Sequence, residues 1–206
     1  MTAFDQATPG TWAGGDASAS GCAASGRRTL LIVQCVAFFR NVNQGQRGHP
    51  STADVVGSFA DAGAADPRAF QSNGTILFAS ADPGATVEAA GSALARRSGI
   101  EREGFWMPLA DVVAIVDVHA DRLDIRRCEV TLHGGGVVDP TDPEVVRTAA
   151  HRRCEIVDAG PGWMVTVNER DAESNATPVA ERLTGGPATS RGLPTLVRLA
   201  DRFGAE

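Results

Sequence analysis

Leu30-Leu-Ile-Val-Gln-Cys-Val-Ala-Phe-Phe39 is ten residues long with Gln34 as its one polar member, and Arg40-Asn-Val-Asn43-Gln-Gly45 follows at once. A run this apolar has no polar face to turn to water. It therefore reads as a central strand buried on both sides, with Arg40 at its rim. Upstream, residues 1–27 are rich in Ala, Gly, Ser and Thr and have little to bury. They are expected to form a disordered arm.

Downstream, the pattern alternates between helix and strand. Ser51 and Asp54 resemble a capping box, Val55, Val56 and Phe59 give the helix an apolar stripe, and Gly63 stops it. Two short strands near 67–72 and 74–80 are expected to meet at Asn73-Gly74, a tight-turn signal. Asp82-Pro83 opens a helix with Val87, Ala90 and Leu94 inward and Gly99 as its stop. Gly104–Met107 reads as a strand, and Leu109, Val112, Val113 and Val116 have the spacing of an amphipathic helix.

The second half repeats this order. Arg126–His133 alternates, with Cys128, Val130 and Leu132 on one side and Arg127, Glu129, Thr131 and His133 on the other. That predicts a strand with one polar face. A helix capped by Asp142-Pro143, strands near 153–158 and 162–168, a helix near 176–184 and a last helix carrying Leu193, Leu196, Val197 and Ala200 complete the chain. The fold class expected is α+β: two ferredoxin-like (split β-α-β) units in tandem, 28–120 and 121–206, with antiparallel or mixed sheets and helices packed on them.

Composition excludes much chemistry. The 206 residues include no lysine and no tyrosine, so Schiff-base catalysis and a phosphate-loop lysine are out. The same bias points to a high-GC, actinobacterial coding background. Net charge is −6, which disfavours nucleic acid as a partner, although Arg126-Arg127 and Arg152-Arg153 form two short basic pairs. Cys22, Cys35, Cys128 and Cys154 lack metal-site spacing, so no metal and no cofactor are expected. Cys35 and Cys128 read as buried free thiols. With no apolar stretch of membrane-spanning length and no signal-peptide pattern, a cytoplasmic location is expected.

Four stretches carry a resemblance to a known family. They are Arg40-Asn-Val-Asn43-Gln-Gly45, Asp66-Pro-Arg68-Ala-Phe70 with Gly74, Ser174-Asn-Ala-Thr177-Pro178, and Thr189-Ser-Arg191-Gly-Leu-Pro-Thr195. Together, in this order, they resemble the signatures of the bacterial family called domain of unknown function 1697. The likeness spans residues 29–203, with Asn41 standing where the family has glycine. It implies a duplicated α+β fold and no particular activity.

The candidate ligand-binding residues are Arg40, Asn43, Gly45, Ser174, Thr189, Ser190 and Arg191. Arg40 follows a central strand, where α/β proteins tend to place ligands. Thr189, Ser190 and Arg191 precede the last helix, whose N-terminus would attract an anion. His133, oriented by Glu129 on the polar strand face, is the candidate catalytic base. His119 and Asp121 read as a terminal turn. The function expected is a cofactor-independent enzyme or enzyme partner acting on a small anionic metabolite in specialised metabolism, for example by base-assisted elimination or ring closure. A protein partner stays open. The alternative is a non-catalytic module that binds a small molecule or nucleic acid.

Overall fold

The computed structural model describes residues 31–122 and 124–205; the predicted arm at 1–27, with Cys22, lies outside them. The apolar run forms β1 (Val33–Phe39), buried from Cys35 onward. It lies inside a four-stranded sheet with β2 (Ala65–Phe70), β3 (Thr75–Ser80) and β4 (Gly104–Pro108) in the order β2-β3-β1-β4. Helices α1 (Thr52–Asp61) and α2 (Pro83–Ser98) cover one face, and α3 (Leu109–His119) follows β4.

A one-turn 3-10 helix, Ile125–Arg127, leads into the second half. There β5 (Cys128–His133), β6 (Cys154–Gly160), β7 (Trp163–Asn168) and β8 (Ala188–Gly192) make a sheet in the order β6-β7-β5-β8. Its helices are α4 (Pro143–His151), α5 (Ala176–Thr184) and α6 (Leu193–Phe203). Every strand pairing is antiparallel. Both halves are ferredoxin-like β-α-β-β-α-β units, each with one extra C-terminal helix.

The strand registers of the two halves correspond residue by residue. Val36 faces Leu77 and Met107, and Val130 faces Val165 and Arg191. By the same pairings Cys35 corresponds to Glu129, Phe39 to His133, and Trp106 to Ser190. The largest core cluster joins the halves: Val36, Phe38 and Leu77 of one sheet and Val130, Leu132 and Val165 of the other enclose α3 and α6. Separate clusters lie beneath α1 and α2 and beneath α4 and α5.

Local chemistry explains the boundaries. Ser51 and Asp54 form the capping box of α1 in both directions. Gly99 and Gly185 end α2 and α5 in left-handed conformation. Gly74 is needed at the β2–β3 turn: its φ is +75°, and a Cβ there would lie 2.8 Å from Val42 Cβ.

The polar side of β5 is buried like the apolar one: all six strand residues are enclosed, with α5 packed over the polar side. Two expectations are corrected. Residues 189–191 belong to a strand, β8, and do not cap a helix; α6 starts at Leu193 after Gly192, with no side-chain cap. A short polar segment such as Ala-Thr-Ser-Arg-Gly has no apolar alternation to announce a strand. His119 is not in a terminal turn: it is the last residue of α3, is 6% exposed, and its Nε2 lies 2.9 Å from Asp158 Oδ2 of β6.

Candidate functional site

The antiparallel sheet brings the end of β1 beside the β2–β3 turn, since Phe38 pairs with Thr75. At this rim the second half contributes β8 and the start of α5. The result is a cleft of about 350 Å³ between the two units. Its lining includes Arg40, Asn43, Ser174, Thr189, Ser190 and Arg191, together with Asn41, Asn73 and Thr177. Gly45 is not part of the lining.

Arg191 is the structural hub. Its Nε donates to Thr75 Oγ1 (3.0 Å), and Nη1 donates to Thr189 Oγ1 (3.0 Å) and the Ser190 carbonyl (2.8 Å). Its Nη2 donates to the carbonyls of Phe39 (3.0 Å) and Asn73 (2.7 Å), and the guanidinium lies 5.4 Å from the Phe38 ring centroid. All five donors are thus used, three of them on the other unit. The residue keeps some surface area in the cleft while its charged head is enclosed. Burial pushes its pKa down to about 10. It has no carboxylate partner among the described residues, so its charge is solvated by neutral oxygens alone.

Arg40, which also lines the cleft, reaches across the units in the other direction. Its Nη2 pairs with Glu181 of α5, and its Nη1 lies 3.7 Å from Glu103 Oε2. The loop that follows is held by backbone bonds: Asn43 N donates to His49 Nδ1 (3.1 Å) and Gln44 N to the Ser72 carbonyl (2.7 Å).

Beneath the cleft lies a polar layer. The Ser174 hydroxyl donates to Glu129 Oε1 at 2.6 Å, and Glu129 Oε2 accepts from Asn168 Nδ2 (3.0 Å) and from Ala176 N (3.4 Å). Glu129, 8% exposed, therefore supplies from a neighbouring strand the acceptor that the first turn of α5 lacks locally. Ser190 Oγ shares hydrogen bonds with Thr177 Oγ1 (2.6 Å) and Thr131 Oγ1 (2.8 Å).

His133 and Glu129 are not brought together. They lie four residues apart on one strand, about 13 Å along it, and neither lines the cleft. His133 is 4% exposed, and neither ring nitrogen has a hydrogen-bond partner among the described residues. Burial lowers its pKa below the usual 6.5, opposed in part by the backbone at Gly135 and Trp163. One arginine of each basic pair is engaged, Arg127 on Asp124 (3.4 Å) and Arg153 on Glu173 (2.6 Å).

Sequence reading did not single out Asn41, Asn73, Thr75, Thr131, Thr177 and Glu181 as site residues, although it did single out Ser190, which joins the Thr131 and Thr177 hydroxyls. Asn73 was legible only as a turn. In a ferredoxin-like sheet, however, the β2–β3 turn always stands beside the end of β1, and that topological signal would have placed Asn73 next to Arg40.

The described residues hold no group of His, Cys, Asp and Glu that could bind a metal, and no helix among them is long and apolar enough to cross a membrane. A sequence profile for a protein of unknown function (DUF1697) matches residues 32–155, more than half of the chain. The chain belongs to the DUF1697 family. The motifs at Ser174 and Thr189 lie beyond the matched stretch. A conserved bacterial protein, SP0830 from Streptococcus pneumoniae, is similar in structure, with a TM-score of 0.52 at 13% identity. The likeness covers 83% of this chain and 98% of that one, and at this identity it speaks for the fold alone. No curated protein matches the sequence.

Proposed function

We propose that the cleft between the units binds a small anionic molecule, and that the protein acts as a binding module or enzyme partner in cytoplasmic, specialised metabolism. The observation that supports this is Arg191: a buried cation with no carboxylate partner among the described residues, set in the wall of a polar cleft that Arg40 also lines. A desolvated charge held only by neutral dipoles leaves a positive potential where water has been displaced, and an anion lowers that energy. At about 350 Å³ the cleft suits one small molecule, near the low end of ligand sites.

Turnover has less support. Base-assisted elimination or ring closure needs a base beside the ligand, and both oxygens of Glu129 are engaged while His133 lies outside the cleft. Binding without chemistry, or handing the ligand to a partner enzyme, needs only the groups present.

Isothermal titration with phosphate, sulfate and citrate tests the reading. At least one should bind the wild-type protein in the millimolar range or tighter. Arg40→Ala should weaken that binding by about 1.5–3 kcal/mol, the worth of a hydrogen bond to a charged group. Its melting temperature should barely move, since Glu181 remains partly exposed. No binding by any of the three would remove the proposal's basis.

A further inference from the structure

The hydrogen-bond polarity of the cleft narrows the ligand further. Resting on the anion-binding reading, we infer that the cleft takes a polyhydroxylated anion, a hydroxylated carbon chain with a terminal phosphate or carboxylate, in preference to a bare anion. The charged end belongs at Arg40: its Nη2 pairs with Glu181, but its Nη1 reaches Glu103 only at 3.7 Å, beyond a hydrogen bond, and keeps donors for a ligand.

The other end of the cleft has the opposite polarity. The Ser174 proton is committed to Glu129 at 2.6 Å, so toward the cleft Ser174 Oγ offers lone pairs only. Glu129 has no cationic partner among the described residues, so its negative charge reinforces that acceptor character through the bond. A bare phosphate or sulfate oxygen placed there would meet acceptor against acceptor. A ligand hydroxyl would donate.

The lining also holds groups that both give and take. Thr177, Ser190 and the buried Thr131 are three hydroxyls joined by two hydrogen bonds, so one proton of the three is left over, and on Thr177 or Ser190, which line the cleft, it can turn toward a ligand. Asn41 and Asn43 add side-chain amides to the same lining. A lining that combines a guanidinium, hydroxyls, amides and an obligate acceptor is complementary to a chain of hydroxyls that ends in an anion.

The test compares glucose 6-phosphate with inorganic phosphate, gluconate with acetate, and glucose alone, each by isothermal titration against the intact chain. One hydroxylated anion should bind at least about tenfold more tightly than its bare counterpart, the worth of one or two neutral hydrogen bonds. The pair that shows the preference identifies the anionic end as phosphate or carboxylate. Ser174→Ala should erase the preference while leaving phosphate or acetate binding in place. Thr177→Val, which removes a hydroxyl that caps nothing, should reduce it several-fold and guards against misfolding at the start of α5. Equal binding of hydroxylated and bare anions would overturn this inference and leave the anion reading intact; glucose binding as well as glucose 6-phosphate would overturn both. A preference unchanged in both variants would also overturn it. If neither class binds, the anion reading itself falls.

Discussion

The layer between sheet and covering helices is built from aromatic rings in the first half and from hydrogen bonds in the second. Where β1 turns Cys35, Ala37 and Phe39 toward α1 and α2, β5 turns Glu129, Thr131 and His133 toward its own helices, in the same register. Opposite them Phe78 corresponds to Thr166 and Trp106 to Ser190. The first layer is closed by Phe39, Phe59 and Phe78, with ring centroids 5.8 and 5.0 Å apart. One backbone plan thus carries two kinds of core. The half whose layer is polar also provides the hydroxyls and the buried cation of the cleft, whereas their counterparts Phe105, Trp106 and Met107 are apolar. One copy thus holds its layer by packing, while the other carries polar groups that also line the cleft.

Changing second-half residues, two of them to their first-half counterparts, breaks this comparison in graded steps. The largest effect is expected for Arg191→Met, which copies Met107. The substitution relieves the desolvation of a cation but orphans the Phe39, Asn73 and Ser190 carbonyls and removes bonds that join the units. A loss of about 2–4 kcal/mol is expected by urea unfolding, because each unsatisfied buried acceptor costs about 1–3 kcal/mol and the cleft lets water repair part of the damage. An unchanged midpoint would mean that the units are held by the shared apolar core alone.

Glu129→Gln is the next step. The carboxylate accepts three hydrogen bonds, and an amide offers a second donor where Asn168 Nδ2 or Ala176 N already donates. A loss of about 1.5–3 kcal/mol is expected, the range for hydrogen bonds to a charged group, with fraying at the start of α5 visible by hydrogen exchange. A neutral outcome would show that the three hydrogen bonds to Glu129 contribute no net stability.

His133→Phe, the counterpart of Phe39, should act in the opposite direction. The wild-type ring buries two unpartnered nitrogens, and its folded pKa lies below 6.5. The unfolded chain then takes up a proton more readily than the folded one. Wild-type stability is therefore full above pH 6.5 and declines as pH falls toward the folded value. The variant should be as stable as wild type or about 1 kcal/mol more stable at pH 8, with a larger advantage at pH 5. An advantage that does not grow on acidification would show that His133 is solvated.

The sequence made the first half more legible than the second, for a physical reason. Apolar runs, Asn73-Gly74, Ser51 with Asp54, and the glycines at 99 and 185 act through local sterics and hydrogen bonds, so a short window contains their whole cause. Arg40 and Arg191 could be suspected at element ends, but their partners lie far off in sequence: Arg191 bonds Thr75 and the Phe39 carbonyl, and Arg40 bonds Glu181. The alternation in β5 predicted its two faces correctly, yet it contains nothing to say that a helix covers the polar one. Strand β8 was missed because its side chains serve a cleft and a polar layer, which removes the apolar pattern by which strands are recognised.

The smallest effect is expected where the two halves exchange equivalent contacts. The last residue of α3, His119, meets Asp158 of β6; the last residue of α6, Phe203, lies beside Arg68 of β2, whose guanidinium is 5.0 Å from the ring centroid. Arg68 and Asp158 occupy the same register position, opposite Leu77 and Val165, each just after a bulge in its edge strand. The geometry of this latch is therefore conserved between halves while its chemistry differs. Asp158→Asn tests how much the ionic version contributes. Asn keeps an oxygen for the Ala159 amide, which now bonds Asp158 Oδ1 at 2.8 Å, and its amide can still donate to the neutral tautomer of His119. Asp158 is 39% exposed, so water screens the charge that is lost. A loss of at most about 1 kcal/mol is expected, the range of exposed ion pairs, without any change in ligand binding at the cleft. A loss several times larger would show that the second half depends on this single contact to stay docked, and that the packed core between the sheets holds the units less firmly than its continuity implies.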